Sequence, residues 1–220
     1  MTAKETTVDE AMNAVDDTSR RFKRVGNVGG TIKDEEGLPP AFPGVAKWLP
    51  LLPQVFTSIH SHLEGITRGG SETSEQRQSF HQIKQSAEAC DGLAKIIESM
   101  FSAIKKGTNA MEKAAQYAAV VEANGDQVVE KLMEDVLNQM MVVAKPPWVA
   151  DEVVTELDIA LGEITQLPPS LQKKQHGSNT QIQYGNGIMM LHNGKGTQAS
   201  TVGGLQVNGP NENAQYHVGS

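Results

Sequence analysis

Apolar positions repeat at intervals of three and four along most of this chain, and the repeat stops near Gln172. That alternation puts side chains on one face of an α-helix, so the first part of the chain predicts helices that share a buried core. The clearest stripe is Phe42, Val45, Leu49, Leu52, Phe56, Ile59 and Leu63. Pro50 and Pro53 fall inside it. A proline removes a backbone donor, so the spacing predicts either a kink after Leu49 or two helices in series, the second with its prolines in the first turn. Gly69 and Gly70 punctuate, and Ser71 and Ser74 are candidate N-caps for the next helix. A second stripe, Phe80, Ile83, Ala87, Cys90, Leu93, Ile97, Phe101 and Ile104, predicts that helix to be long. After Gly107, Met111 to Ala123 reads as an Ala-rich helix that Asn124 and Gly125 interrupt or end. Val129, Leu132, Val136, Met140 and Val143 mark another, stopped by Pro146 and Pro147. Val149, Val153, Leu157, Leu161 and Ile164 mark the last, from Trp148 to Thr165, and Pro168 and Pro169 close the domain.

The N-terminal stretch is less regular. Thr7 to Arg24 sets Val8, Met12, Val15 and Phe22 among many charges, a weak amphipathic helix that Gly26, Gly29 and Gly30 are expected to interrupt. The pattern therefore predicts an all-α fold with three parts. Residues 1–36 form a polar helix and a glycine hinge, residues 37–171 form a bundle of about five amphipathic helices, and residues 172–220 form a disordered tail able to form cross-β.

Charge and cysteine content narrow the function classes. A net charge of -7 and the lack of a dense Lys/Arg stripe argue against a nucleic-acid partner, because phosphate binding needs a basic face. The one concentrated basic patch is Arg20, Arg21, Lys23 and Arg24, which reads as a solvated helix end or as a contact for anionic lipid headgroups. The single cysteine, Cys90, excludes an internal disulfide; lying on an apolar stripe, it is expected to be a buried thiol with a raised pKa. Without a signal sequence or a long apolar run, the chain reads as soluble and cytoplasmic.

Candidate chemistry is sparse. Gly26 to Lys33 lacks the spacing that wraps backbone amides around phosphates. His60 and His62 are two apart, and such residues on a helix point about 200° away from each other, so they cannot share a metal. Glu35 with Glu36, and Glu134 with Asp135, read as solvated faces. No hydrolase, zinc-protease or Walker motif is present. The expectation is a non-enzyme with no catalytic residue, no cofactor and no metal.

Specific phrases carry a family resemblance. Gly37-Leu38-Pro39-Pro40-Ala41-Phe42, then Val45-Ala46 and Leu49-Pro50, is similar to the opening of the fungal SesA domain. Ala89-Cys90, Gly125 ahead of Val128-Val129-Glu130-Lys131-Leu132-Met133, and Leu167-Pro168-Pro169-Ser170 fall where related phrases occur, so the resemblance spans residues 30–171. It implies a helical domain of the kind found at the N-terminus of STAND/NLR-type NTPases and in small companion proteins. It also implies kinship with HeLo and HeLo-like cell-death domains, whose better-known members act on membranes once assembled.

The tail agrees with that implication. Ile182-Gln183-Tyr184-Gly185, Gly196-Thr197-Gln198, Leu205-Gln206-Val207-Asn208-Gly209 and Gln215-Tyr216-His217-Val218-Gly219 share one unit, a small or apolar residue around Gln with Gly close by. In a stack of copies each Gln bonds to its own equivalent above and below, apolar neighbours form a dry seam, and Gly permits turns. The predicted assembly residues are Ile182, Gln183, Tyr184, Gly185, Gln198, Leu205, Gln206, Val207, Gly209 and Gln215. Few charges oppose stacking, chiefly Lys173, Lys174, Lys195 and Glu212. The first core resembles the RHIM pattern, and the spacing is similar to fungal prion-like signalling motifs. The resemblance implies a STAND/NLR-type NTPase with a matching motif as partner, self-assembly through the tail, and membrane contact after activation. The sequence departs from HeLo-type effectors in its polar residues 1–36, which would be costly to insert in a bilayer. The readings rank as signalling effector first, non-toxic adaptor or input module second, and enzyme with an unrecognised site third.

Overall fold

The stripe that begins at Phe42 is shared by two helices, with Pro50 between them. In a computed structural model, described over residues 6–32, 38–69 and 73–171, seven helices occur in order. These are α1 (Val8–Ile32), α2 (Ala41–Trp48), α3 (Leu51–Gly69), α4 (Ser74–Lys106), α5 (Ala110–Ala123), α6 (Val129–Val143) and α7 (Asp151–Thr165). The described part is all-α. Glu35, Glu36, Gly37, Ser71 and every tail position named for assembly lie outside the described residues. Pro53 occupies the first turn of α3, where a backbone N–H has no partner within the helix, so its ring costs little. Every residue of the stripe from Phe42 to Leu63 is buried.

α4 is the spine. Its N-cap is Thr73, whose hydroxyl accepts the Gln76 N–H while the Gln76 side chain accepts the Thr73 N–H. This reciprocal pair satisfies two end donors at once, and it sits between the two serines expected to cap. Lys105 and Lys106 in the last turn complement the negative end of the helix dipole. Along the buried face, Ala94 takes the place expected for Leu93, which is only partly buried. A small residue there lets α4 approach its neighbours closely.

The glycine hinge expected after Arg24 is not there. α1 continues through Gly26, Gly29 and Gly30 to Ile32, and its face of Val15, Phe22, Val25, Gly29 and Ile32 is buried in the common core. The N-terminal segment is thus part of the bundle rather than a separate polar helix. Contacts rise together along α1 and α4, from Thr6 with His81 through Thr18 with Ala87 to Arg21 with Asp91, so these helices run parallel. Contacts of α1 with α3 run the opposite way, Asp16 with His60 and Ser19 with Pro53. Gly29 is a place of close approach: a Cβ there would lie 2.9 Å from Leu49 Cδ1 and 3.2 Å from Phe101 Cε1. Gly30 has nothing within 4 Å. Two neighbouring glycines therefore predict opposite results in thermal unfolding. Gly30→Ala is expected to stabilise by about 0.5–1 kcal/mol through helix propensity. Gly29→Leu is expected to destabilise by about 1–3 kcal/mol through overpacking. Equal effects would show that α1 is not packed at this point.

Two helices lie outside this centre. α5 is capped by Asn109, whose side chain accepts the Glu112 N–H, and it ends where Gly125 (φ 70) and Asp126 (φ 60) turn left-handed. α7 lies against α2 and α6 through Leu157, Ala160 and Ile164. It begins at Asp151; Trp148 and Val149, expected in its first turn, are buried in the turn ahead of it.

Candidate functional site

A buried polar network lies at the C-terminal end of the described residues. Tyr117 is buried on α5, packed edge-on to Phe42 with ring centroids 4.8 Å apart. Its hydroxyl accepts the N–H of Val129, the first residue of α6, at 3.0 Å, and shares a 2.6 Å hydrogen bond with the Ser170 hydroxyl. The Ser170 N–H in turn donates to Glu130 Oε1 at 2.9 Å. Ser170 is 1% exposed, so its polar groups must be satisfied by protein. The network ties α5, α6 and the segment after α7 to one point, the root of the tail. It is incompletely satisfied, because Glu130 Oε2 is buried without a partner among the described residues.

The segment between α7 and that root is also fitted tightly. A Cβ at Gly44 would lie 2.7 Å from the tip of the Leu167 side chain, so a larger residue there would push that side chain aside. Glu163 on α7 receives the Lys47 ammonium and the Trp48 indole N–H, the latter at 2.8 Å, and these bonds hold its carboxyl below the usual range. Tyr117→Phe tests the root. Removing the hydroxyl takes away the acceptor of the Val129 N–H and breaks the bond to the Ser170 hydroxyl, a cost of about 1–2 kcal/mol. Faster amide exchange at Ser170 and Leu171 is expected with it; unchanged exchange would mean that the bonds do not hold the root.

The basic patch is used by the fold. Arg20 pairs with Asp16 and Asp17 on its own helix. Arg21 is half-buried and turns to α4, where it binds Asp91 and lies 3.5 Å from Glu98. Arg24 lies 3.6 Å from Glu98, and Lys23 is exposed. The hydrogen bond to Asp91 raises the Arg21 pKa. At Asp91 burial pushes the pKa up, but hydrogen bonds from Lys95 and Arg21 outweigh it and leave the carboxyl below its usual value. Arg20, Arg21 and Arg24 are therefore met by carboxylates, and Arg21 clamps α1 to α4. The groove beside this clamp, about 510 Å³, is open and lined by both signs of charge, including Glu10, Asp17, Lys84, Glu88 and Lys95.

Cys90 is fully buried with Sγ 3.8 Å from the Val136 carbonyl, and burial pushes its pKa up to about 12. His60 faces Asp16 at 3.5 Å, while His62 stands edge-on to Trp148 at 4.9 Å, so the two face different neighbours. Glu134 and Asp135 both pair with Lys131. Among the described residues no group of three or more His, Cys, Asp or Glu is placed to hold a metal. No described helix is long and apolar enough to cross a membrane.

A family model matches residues 10–143, more than half of the chain: SesA, the N-terminal domain on NACHT NTPases and P-loop NTPases. The chain belongs to the SesA family. Neither a curated protein nor a solved structure matches it. The match begins inside α1, which agrees with the packing of that helix in the SesA bundle and extends the likeness N-terminal of residue 30. It stops at the end of α6; Tyr117, Val129 and Glu130 of the tail-root network lie inside it, and α7 and Ser170 follow it.

Proposed function

We propose that this SesA protein is a signalling effector in a programmed cell-death or innate-immunity-like response, switched by assembly of its own tail. A NACHT or other STAND-type NTPase carrying a matching motif oligomerises and presents a template. Residues 177–219 then add to it as stacked β, which replaces slow nucleation by growth. The attached bundles reach high local concentration and act together, although each interacts weakly alone. The observation that carries this reading is the adjacency of the two parts: a family known from the N-termini of NTPases, and, directly after a fixed root at Ser170, a tail with few charges and repeated Gln–Gly units. No catalysis is needed, and the protein is read as a non-enzyme.

The last step has two versions. Contact with anionic membranes would use Lys23 with Arg20 and Arg24, Arg21 being engaged in the clamp. Alternatively the bundle is an adaptor that recruits a protein partner. The burial of the whole α2–α3 apolar stripe favours the adaptor, since that stripe reaches lipid only if the core opens.

The test uses the full chain and a Gln183→Lys, Gln206→Lys variant. Cross-β reflections near 4.7 Å are expected from assembled wild type and not from the variant, with leakage of anionic vesicles by the assemblies marking the effector. Assembly without leakage would select the adaptor. Wild type that stays soluble at every concentration, with and without preformed seeds, would falsify the switch.

A further inference from the structure

We propose that Glu130 is one half of a charge latch: its carboxylate takes the ammonium of Lys173 or Lys174 and fastens the tail to the bundle beyond Ser170. Glu130 Oε1 accepts the Ser170 N–H at 2.9 Å, while Oε2 is buried with no partner among the described residues. A covered carboxylate oxygen without a donor is costly, and a charged donor offsets that cost better than a neutral one. Glu130 as a whole is half-buried, so this oxygen lies just beneath the surface. A lysine reaches such a place by laying its apolar stem along the bundle and bringing only the ammonium in.

Surrounding charge sets the sign of the donor, and the order of the chain names it. Residues 110–165 hold eleven carboxylates and three lysines, and each of these lysines is placed elsewhere. The Lys113 stem covers Gly107, and Lys131 pairs with Glu134 at 3.0 Å and Asp135 at 3.3 Å. Lys145 lies past the far end of α6, about 20 Å along the axis from Glu130. The next cations along the chain are Lys173 and Lys174, three and four residues past Ser170. Ser170 is itself bonded to Glu130, so even an extended backbone keeps both lysines within about 15 Å of that bond. The latch does not rest on the assembly reading. If the tail stacks from residue 177, at most Lys174, Gln175 and His176 separate the latch from the stack, and each bundle is carried close against it.

Amide exchange in the dilute, unassembled full chain tests the latch. Lys173→Gln with Lys174→Gln is expected to speed exchange of the Ser170 N–H at least about threefold, the scale of one partly exposed ion pair. Buried amides of α4 should not change, and Lys195→Gln should have no effect at Ser170. Glu130→Gln keeps an acceptor for the Ser170 N–H but removes the charge, and in that background the two lysine substitutions should add nothing. Ser170 exchange that ignores the lysine substitutions in the otherwise unmodified chain overturns the proposal and assigns Oε2 to a buried water. An equal acceleration in the Glu130→Gln background overturns it too, and makes another carboxylate the partner. Carbodiimide coupling of the unmodified chain keeps the partner decidable if Glu130→Gln does not fold. The reagent takes up the water lost as a carboxylate and an amine in contact join as an amide. An amide from Glu130 to Lys173 or Lys174 supports the latch, and coupling of these lysines to other carboxylates alone overturns it.

Discussion

Phe42→Ala is expected to lower the free energy of unfolding by about 3–5 kcal/mol, the usual range for emptying a buried aromatic site. Phe42 is fully buried, edge-on to Phe101 at 5.6 Å and to Tyr117 at 4.8 Å. It stands at the start of α2, so one ring joins that helix to α4 and α5. Removing it leaves a cavity under Tyr117, whose hydroxyl carries the tail root, and stability and tail anchoring should fall together. A typical domain has only about 5–15 kcal/mol to lose, so the variant should be close to unfolding at moderate temperature. Urea denaturation gives the loss, and amide exchange at Ser170 gives the anchoring. A cost below about 1.5 kcal/mol would mean that the three rings do not pack as described. Phe42→Leu, which refills most of the space, should recover much of the difference.

Large side chains made most of this fold legible, and small ones hid the rest. The helices α2, α3, α4, α6 and α7 are announced by Phe, Leu, Ile, Val and Met at helical spacing, and α5 by its run of alanines. α1 carries an equally regular seam, Val8, Ala11, Val15, Thr18, Phe22, Val25, Gly29 and Ile32, stepping by three and four throughout. Its Ala, Thr and Gly do not register as apolar, so the helix reads as weak and its glycines as a break. The same substitution of small for large puts Leu93 in place of Ala94 on the buried face expected for α4. Where two helices press close, the contact needs little side chain, and a hydrophobicity pattern goes silent at its tightest point. Thr18 shows why a polar residue can sit there: its hydroxyl lies within hydrogen-bond distance of the carbonyls of Ala14 and Ala87.

The candidate site was less readable than the fold. Nothing in the spacing joins Tyr117 to Ser170, since only the fold brings these residues together. A signal was present in hindsight, a lone Tyr in an Ala-rich helix and a Ser set just after a proline pair at the domain end. The basic patch was visible as sequence, but its partners Asp91 and Glu98 lie on α4, so its use in the fold was not. The limits of the SesA match sharpen this division. The match covers residues 10–143, whereas α7, Leu167 and Ser170 follow it in the chain and pack back on α2, α5 and α6.

The Arg21 clamp provides the second large effect. Arg21→Met keeps most of the apolar stem but removes the guanidinium from Asp91 and Glu98, and a loss of about 2 kcal/mol is expected, the scale of hydrogen bonds to charged groups. Both partners are only 19% and 28% exposed at the side chain, so water does not fully replace the lost bonds. Lys95 remains 2.8 Å from Asp91, which keeps the cost below that of an isolated buried charge. The pH dependence comes from the depressed pKa of Asp91. Its stabilising contribution is present above the unfolded carboxylate value, near 3.8, and is lost as pH falls through the lower folded value. Arg21 stays charged across this range, so the carboxylates alone set the slope. The gap between wild type and Arg21→Met should therefore be constant from about pH 5 to 8 and shrink in more acidic solution. Denaturation at several pH values measures it. A gap that persists undiminished in acid would assign the effect to packing of the arginine stem between α1 and α4, and would leave those helices held by the Val15, Phe22 and Val25 seam without an electrostatic clamp.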